Sequence, residues 1–369
     1  MIEARYNPTL HRLALLTAAA TFPLIFMGGL VTSKQAGMSV PDWPNSYGYN
    51  MFLFPPRLWV GGIFYEHTHR LMGTLVGMLS ILLAIFAWKF EKRMWVKKLA
   101  VSLLITVIIQ GTLGGLRVVL AKLHLAIIHA CLAQAVFCFA ALVAVVTSKW
   151  WIETREQSVG DLMGRKLIRL CILSIGIIYG QLIVGALMRH HEAGLAVTDV
   201  PLIYGKFLPP TNAAELREIN HQRMRDGDKL GPIESLRFNQ ATMPITLGQI
   251  WLHVLHRVGA LVVTCAMIAL IASVLRHHRQ PALVVPAALL GIFVLIQLTL
   301  GILTVLMRKP ADIASAHVAV GALTLMTTFV LTARACRLYS TWHRTAGRRF
   351  EVQPARSESR GSRMTLATT

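Results

Sequence analysis

The chain has 369 residues, of which 54% are hydrophobic and 15% charged, and its 37 Lys and Arg outweigh 17 Asp and Glu for a formal charge of +20. Repeated apolar runs long enough to span ~30 Å of hydrocarbon exclude a soluble globular protein. The basic excess sits in short loops and the tail, where it reports membrane topology rather than nucleic-acid binding.

The amino terminus is short and polar, with neither a small-residue cleavage site nor an Arg/Ser-rich presequence. The first run is therefore expected to stay as a helix, in a bacterial inner membrane rather than an imported organelle protein. Eight apolar runs follow one another, at about 12–33, 66–88, 98–120, 124–147, 167–188, 250–275, 281–306 and 314–337. Each approaches the ~20 residues of a spanning helix, so the expected fold is an all-α polytopic membrane protein with eight transmembrane helices. Between the second and third runs lie Lys89, Lys92, Arg93, Lys97 and Lys98; after the fourth come Lys149, Arg155, Arg165, Lys166 and Arg169. Arg276, Arg279 and the arginine-rich tail continue that side, which places both termini in the cytoplasm. Cys131, Cys138, Cys171, Cys265 and Cys336 lie within or at the ends of the runs without CxxC spacing, and are expected to be small buried side chains.

The chain repeats itself. Gly28, Ala36-Gly37, Asp42-Trp43-Pro44 and Tyr47-Gly48 recur 157 positions later as Gly185, Ala193-Gly194, Asp199-Val200-Pro201 and Tyr204-Gly205. Gln110-Gly111-Thr112-Leu113-Gly114 recurs at 187 as Gln297-Leu298-Thr299-Leu300-Gly301, and His129 meets His317 at 188. Four helices thus occur twice in the same sense, which implies two tandem, parallel-repeat four-helix bundles. The expected division is 12–148 for the amino-terminal bundle, 149–166 for a cytoplasmic linker, and 167–337 for the second bundle with an extended outer loop at 190–249. The basic stretch 338–369 is expected to be a disordered tail. Residues 36–56 should have a defined shape, while much of the polar insertion 211–249 reads equally as a flexible connector.

Chemistry concentrates at Glu66-His67-Thr68-His69-Arg70 and its second copy, His253-Val254-Leu255-His256-Arg257. Ionisable residues at the mouth of a membrane helix are costly and mark a candidate functional site. His69, His129, His256 and His317 fall at duplicated places near the outer end, two per bundle on different helices, where they could clamp one metal or one haem. Two histidines leave a tetrahedral zinc site short of ligands, whereas a flat macrocycle needs two axial ligands and an apolar slot. Arg70 and Arg257 could pair with propionates or snorkel to the interface. His67 points about 200° round the helix from His69. It is set aside, as are His124, the loop residues His190, His191 and His221, and His11, His277, His278 and His343. Glu66 faces the same way as His69, where its counterpart His253 offers no carboxylate. It could take a proton or stabilise developing positive charge, or serve as a helix amino-terminal carboxylate.

Together Glu66-x-x-His69-Arg70, Ile128-His129-Ala130-Cys131-Leu132-Ala133-Gln134, His256-Arg257 and Ala316-His317-Val318-Ala319-Val320-Gly321 resemble the haem A synthase family, over about residues 12–337. The resemblance implies oxidation of the C8 ring methyl of haem O, the farnesylated precursor, to the formyl group of haem A through an alcohol, for haem-copper terminal oxidases. It implies that the amino-terminal bundle holds the substrate through His69 and His129, with Glu66 catalytic. The carboxyl-terminal bundle then holds a permanent haem b, its iron ligated by His256 and His317. Two axial histidines block oxygen activation on the substrate iron, so water is the expected oxygen source. A handover from the haem O synthase (protohaem farnesyltransferase) is the expected partnership, and a homo-oligomer stays open. Some bacterial members carry a cysteine pair in the outer loop; residues 34–64 contain none. The alternative is a non-catalytic dihaem b-type cytochrome exchanging electrons with quinone, which leaves the Glu66/His253 difference unexplained. A transporter would place its ionisable residues near the midplane rather than at the outer ends.

Overall fold

The computed structural model describes residues 5–154, 162–228 and 242–339. Within them the chain is helical, and the β-pairing consists of two isolated bridges, Ser46 with Tyr49 and Ile203 with Lys206. The elements are α1 (Pro8–Ser33), α2 (Gly61–Phe90), α3 (Met94–Leu120), α4 (Leu123–Thr147), α5 (Lys149–Glu153), α6 (Leu162–His190), α7 (Ala213–Asp228), α8 (Leu247–His277), α9 (Pro281–Leu306) and α10 (Ala311–Tyr339). Eight of these, all but α5 and α7, are long and apolar enough to cross a membrane.

Most of the spanning helices outrun their apolar stretches because a helix satisfies its own backbone and need not stop where hydropathy does. Its ends stop where caps stop it. Asn7 accepts the Thr9 and Leu10 N–H groups at 3.1 Å, with Pro8 at the first helical position, and so starts α1 ahead of the run at 12. Thr246 and Gln249 close a reciprocal capping box that starts α8.

Helices α1 to α4 pack as a ring, each against the next and α4 back on α1; α6, α8, α9 and α10 do the same. The groups meet through α1–α10, α4–α10 and α4–α6. Small residues allow this seam: a Cβ on Gly29 would come within 3.0 Å of Ser315 Cβ, and the Ser33 and Ser315 hydroxyls lie 3.2 Å apart. Leu83, Leu103, Val143 and Leu10 fill the first ring, and Leu167, Met267, Leu283 and Leu331 the second. Many other apolar side chains point outward, as lipid rather than water surrounds them. That corrects one expectation: Cys138 and Cys171 are buried, but Cys265 is exposed on the outer face of α8. Near α5, Trp95, Trp150 and Trp151 lie under the guanidinium groups of Arg93, Arg334 and Arg337, an interfacial belt.

The two outer loops share a backbone design. Asp42 accepts the Tyr47 and Gly48 N–H groups at 2.7 and 2.8 Å, and Asp199 accepts those of Tyr204 and Gly205 at 3.0 and 2.9 Å. Gly48 and Gly205 sit at φ 76° and 74°, a left-handed turn that suits glycine. The Tyr47 hydroxyl donates to Ser39 O, as Tyr204 does to Ala196 O. The insertion is not wholly a connector: α7 docks there, with Arg223 bonded to Met243 O and Leu195 O at 2.9 and 3.1 Å and Asn220 paired with Ile245. Residues 155–161 of the linker, 229–241 of the insertion and the tail from 340 lie outside the described residues.

Candidate functional site

A cavity of about 1270 Å³ runs between the two rings, and all four expected histidines line it. Each imidazole rests against a glycine of the preceding membrane helix. A Cβ on Gly28 would meet His69 Cε1 at 3.0 Å; on Gly114, His129 at 2.9 Å; on Gly185, His256 at 3.2 Å; on Gly301, His317 at 3.1 Å. These close approaches set where each ring can stand.

Three of the four rings also have a glutamine one turn before that glycine. Gln110 Nε2 donates to His129 O at 2.9 Å, and Gln181 Nε2 donates to His256 O at 2.8 Å while lying 3.1 Å from His256 Nδ1. Gln297 Nε2 lies 3.4 Å from His317 Nε2. The fourth matching position, before Gly28, is Leu24. Gln110 and Gln297 open a repeated stretch of the sequence; their place beside the histidines needed the structure.

The second copy of the motif acts on the same loop position as the first. Glu66, 3% exposed, accepts Val40 N–H at 3.0 Å through Oε2 and Arg70 Nη2 at 2.9 Å through Oε1. Its counterpart His253 approaches Val197 N at 3.4 Å and Ala193 O at 3.0 Å. Both residues thus pin an outer loop, and both line the cavity, but only Glu66 brings a carboxylate to it.

Arg70 and Arg257 border the cavity with their Nη atoms turned to the loops. Arg70 donates to Asp42 O, Asn45 O and Val40 O at 2.7, 3.0 and 2.8 Å; Arg257 donates to Leu202 O, Val197 O and Asp199 O at 3.0, 3.1 and 2.8 Å. In the Asp42 loop, partial burial works against the ionised carboxylate. The Gly48 and Tyr47 N–H donors and the Arg70 charge outweigh it, holding Asp42 below the usual carboxylate range.

Three further cations line the cavity and escaped the sequence reading: Arg117, Arg189 and Lys309. Arg189 Nη2 bonds Gly29 O and Ser33 Oγ across the seam, and its Nε is buried with no hydrogen-bond partner. Arg117 Nη2 reaches Gly37 O at 3.2 Å. The counterparts of Arg117 and Arg189 in the repeat are Thr304 and Thr32, so duplication could not flag these two. His190, set aside as a loop residue, ends α6 and lines the cavity. His67 was placed correctly: it is fully buried away from the cavity, 3.2 Å from Ser46 Oγ and packed on Trp59 and Phe54.

The model of the COX15-CtaA family, cytochrome oxidase assembly protein, matches residues 61–330. The chain belongs to this family. A Heme A synthase of Shewanella oneidensis is 24% identical over 351 residues, covering 90% of this chain and 96% of the relative. A Heme A synthase of Halalkalibacterium halodurans is 26% identical over 306 residues, covering 82% and 89% respectively.

Whether this COX15-CtaA chain suits a haem can be tested on its own atoms. The His256 and His317 ring centroids are 6.4 Å apart. With a metal–nitrogen bond of about 2.0 Å and a ring centre about 1.1 Å behind its nitrogen, two imidazoles flanking one metal ion stand about 6.2 Å apart. His69 Nδ1 and His317 Nδ1 are buried without partners. Among the described residues no three His, Cys, Asp or Glu side chains cluster as a metal site, which disfavours zinc and leaves the two-ligand arrangement. The spacing of His256 and His317 fits a bis-histidine haem.

Proposed function

We propose that this chain is a haem A synthase: it oxidises the C8 methyl of haem O to the formyl group of haem A for haem-copper terminal oxidases. The observation that carries this reading is an asymmetry within a duplicated cradle. Both halves offer two glycine-seated histidines to one cavity, and only one half adds a carboxylate beside them. His69 and His129 hold the substrate's iron. His256 and His317 would hold a haem b, which supplies one-electron redox chemistry when bound.

With both axial positions of the substrate taken, oxygen comes from water. The first oxidation adds water to the methyl carbon and releases two electrons and two protons, giving the alcohol; the second removes two more of each, giving the aldehyde, and the four electrons would pass one at a time to an external one-electron acceptor. Glu66 receives a proton from the attacking water. Its bonds to Val40 N–H and Arg70 fix the carboxylate, and each oxygen keeps a further lone pair for that water. Arg117, Arg189 and Lys309 neutralise the propionates, while Arg70 and Arg257 are committed to the loop carbonyls.

The basic inner loops support a bacterial inner-membrane location with both termini cytoplasmic. A handover of haem O from the farnesyltransferase that makes it is the expected partnership. Glu66→Gln is expected to retain haem at both sites yet stall at haem O or its alcohol, read by mass analysis of the extracted pigment. Full conversion by that variant would remove Glu66 from the mechanism. A wild-type chain that binds two haems b and consumes no haem O would be an electron-transfer cytochrome instead.

A further inference from the structure

The two halves of the cavity are lined by matching positions, and three of these are smaller on the His69 side. On the His69 side α2 presents Gly73 and Gly77 and α3 presents Gly111; beside His256 the same positions are Ala260, Thr264 and Leu298. A Cβ at Gly73, Gly77 or Gly111 would meet nothing within 4 Å, so these glycines do not serve helix–helix contact. They leave space.

Depth differs as well. Along α2 the lining continues to Ile81, twelve residues beyond His69 and so about 18 Å down the helix, with Leu104, Val107 and Ile108 opposite. Along α8 it ends at Thr264, eight residues beyond His256, or about 12 Å. Ile81 and Ile108 are partly exposed, so their side chains leave room along the slot.

An independent observation is polar. Gln134 on α4 is 6% exposed, lines the same cavity, and has an Oε1 with no hydrogen-bond partner. Its counterpart is Ala322. A buried amide oxygen is costly to leave without a donor, which points to a ligand that brings one.

We propose, resting on the haem reading above, that Gly73, Gly77, Gly111 and Gln134 form a subsite for the hydroxyl-bearing isoprenoid arm of the substrate macrocycle. The slot takes the chain, and Gln134 Oε1 accepts from the hydroxyl. The histidines alone cannot separate haem O from haem b, since both halves offer the same pair. The arm subsite makes that selection, and Thr264 and Leu298 fill the equivalent space where haem b sits.

The test uses the full-length chain in detergent, titrated with haem O and separately with protohaem. The carboxyl-terminal site is filled beforehand, and its bis-histidine spectrum serves as the folding control. Gly77→Thr with Gly111→Leu is expected to weaken haem O binding about tenfold or more while leaving protohaem binding at the amino-terminal site unchanged. Gln134→Ala should weaken haem O several-fold and spare protohaem. The converse pair, Thr264→Gly with Leu298→Gly, should let the second site accept haem O. Unchanged haem O affinity in the first two variants, or equal losses for both pigments, would overturn the subsite and leave the synthase reading standing. Failure of the wild-type chain to bind haem O would overturn both.

Discussion

Behind each candidate ligand stands a glycine, and the reason is distance. At Gly114 an added methyl would lie 2.9 Å from His129 Cε1, closer than carbon atoms approach, so the ring would have to move. Gly114→Ala is therefore expected to weaken haem retention at the amino-terminal site ~10–100-fold, the range typical of lost ligand orientation. The spectrum of the His256/His317 site should be unaffected. Gly176→Ala on α6, where a Cβ meets nothing within 4 Å, is the control and should be neutral or stabilising by up to ~1 kcal/mol. Haem titration of both variants checks the contrast; equal losses would deny the glycine its seating role. The histidines were legible in the sequence because duplication marks them, and so were Gly28, Gly114, Gly185 and Gly301 as repeated residues. Their purpose was not legible, since a glycine names no partner. Arg117 and Arg189 were invisible for the opposite reason: each breaks the repeat.

At the scale of elements, the outer loops are held by side chains from the helices beneath them. Arg70 and Glu66 grip the first loop at Val40 and Asp42, and Asp42 in turn holds the left-handed turn at Tyr47-Gly48. The depressed pKa of Asp42 has a definite sign. An unfolded aspartate binds protons more readily than the folded one, so its contribution is fully present above the ordinary value of about 3.9 and is lost as pH falls through the lower folded value. Limited proteolysis within 34–60 should stay slow from neutral pH to about pH 4 and quicken below it. Asp42→Asn should be cleaved readily across that whole range; a protected Asn variant would show that the turn holds without the charge. The Asp-x-Pro and Tyr-Gly repeat announced a defined loop, but nothing in sequence spacing tied Arg70 to loop carbonyls rather than to a ligand. Helix α7 was likewise hidden, because its polar surface resembles a connector until Asn220 and Arg223 are seen to dock it.

For the whole molecule, eight spanning helices followed directly from hydropathy, because the bilayer leaves the backbone little alternative. The shared cavity did not, since it depends on how α1, α4, α6 and α10 meet at a seam of small residues. That seam makes one chamber from two cradles and brings Arg189 of one ring onto Gly29 and Ser33 of the other. Electrons drawn from a substrate between His69 and His129 would then have a short path to a haem between His256 and His317. The central claim is this division of labour, and one measurement addresses it most directly: mass analysis of the pigments extracted from the purified chain after co-production with a haem O synthase. Haem A or its alcohol precursor alongside haem b is the expected result. Two equivalents of haem b, with haem O untouched, would contradict it.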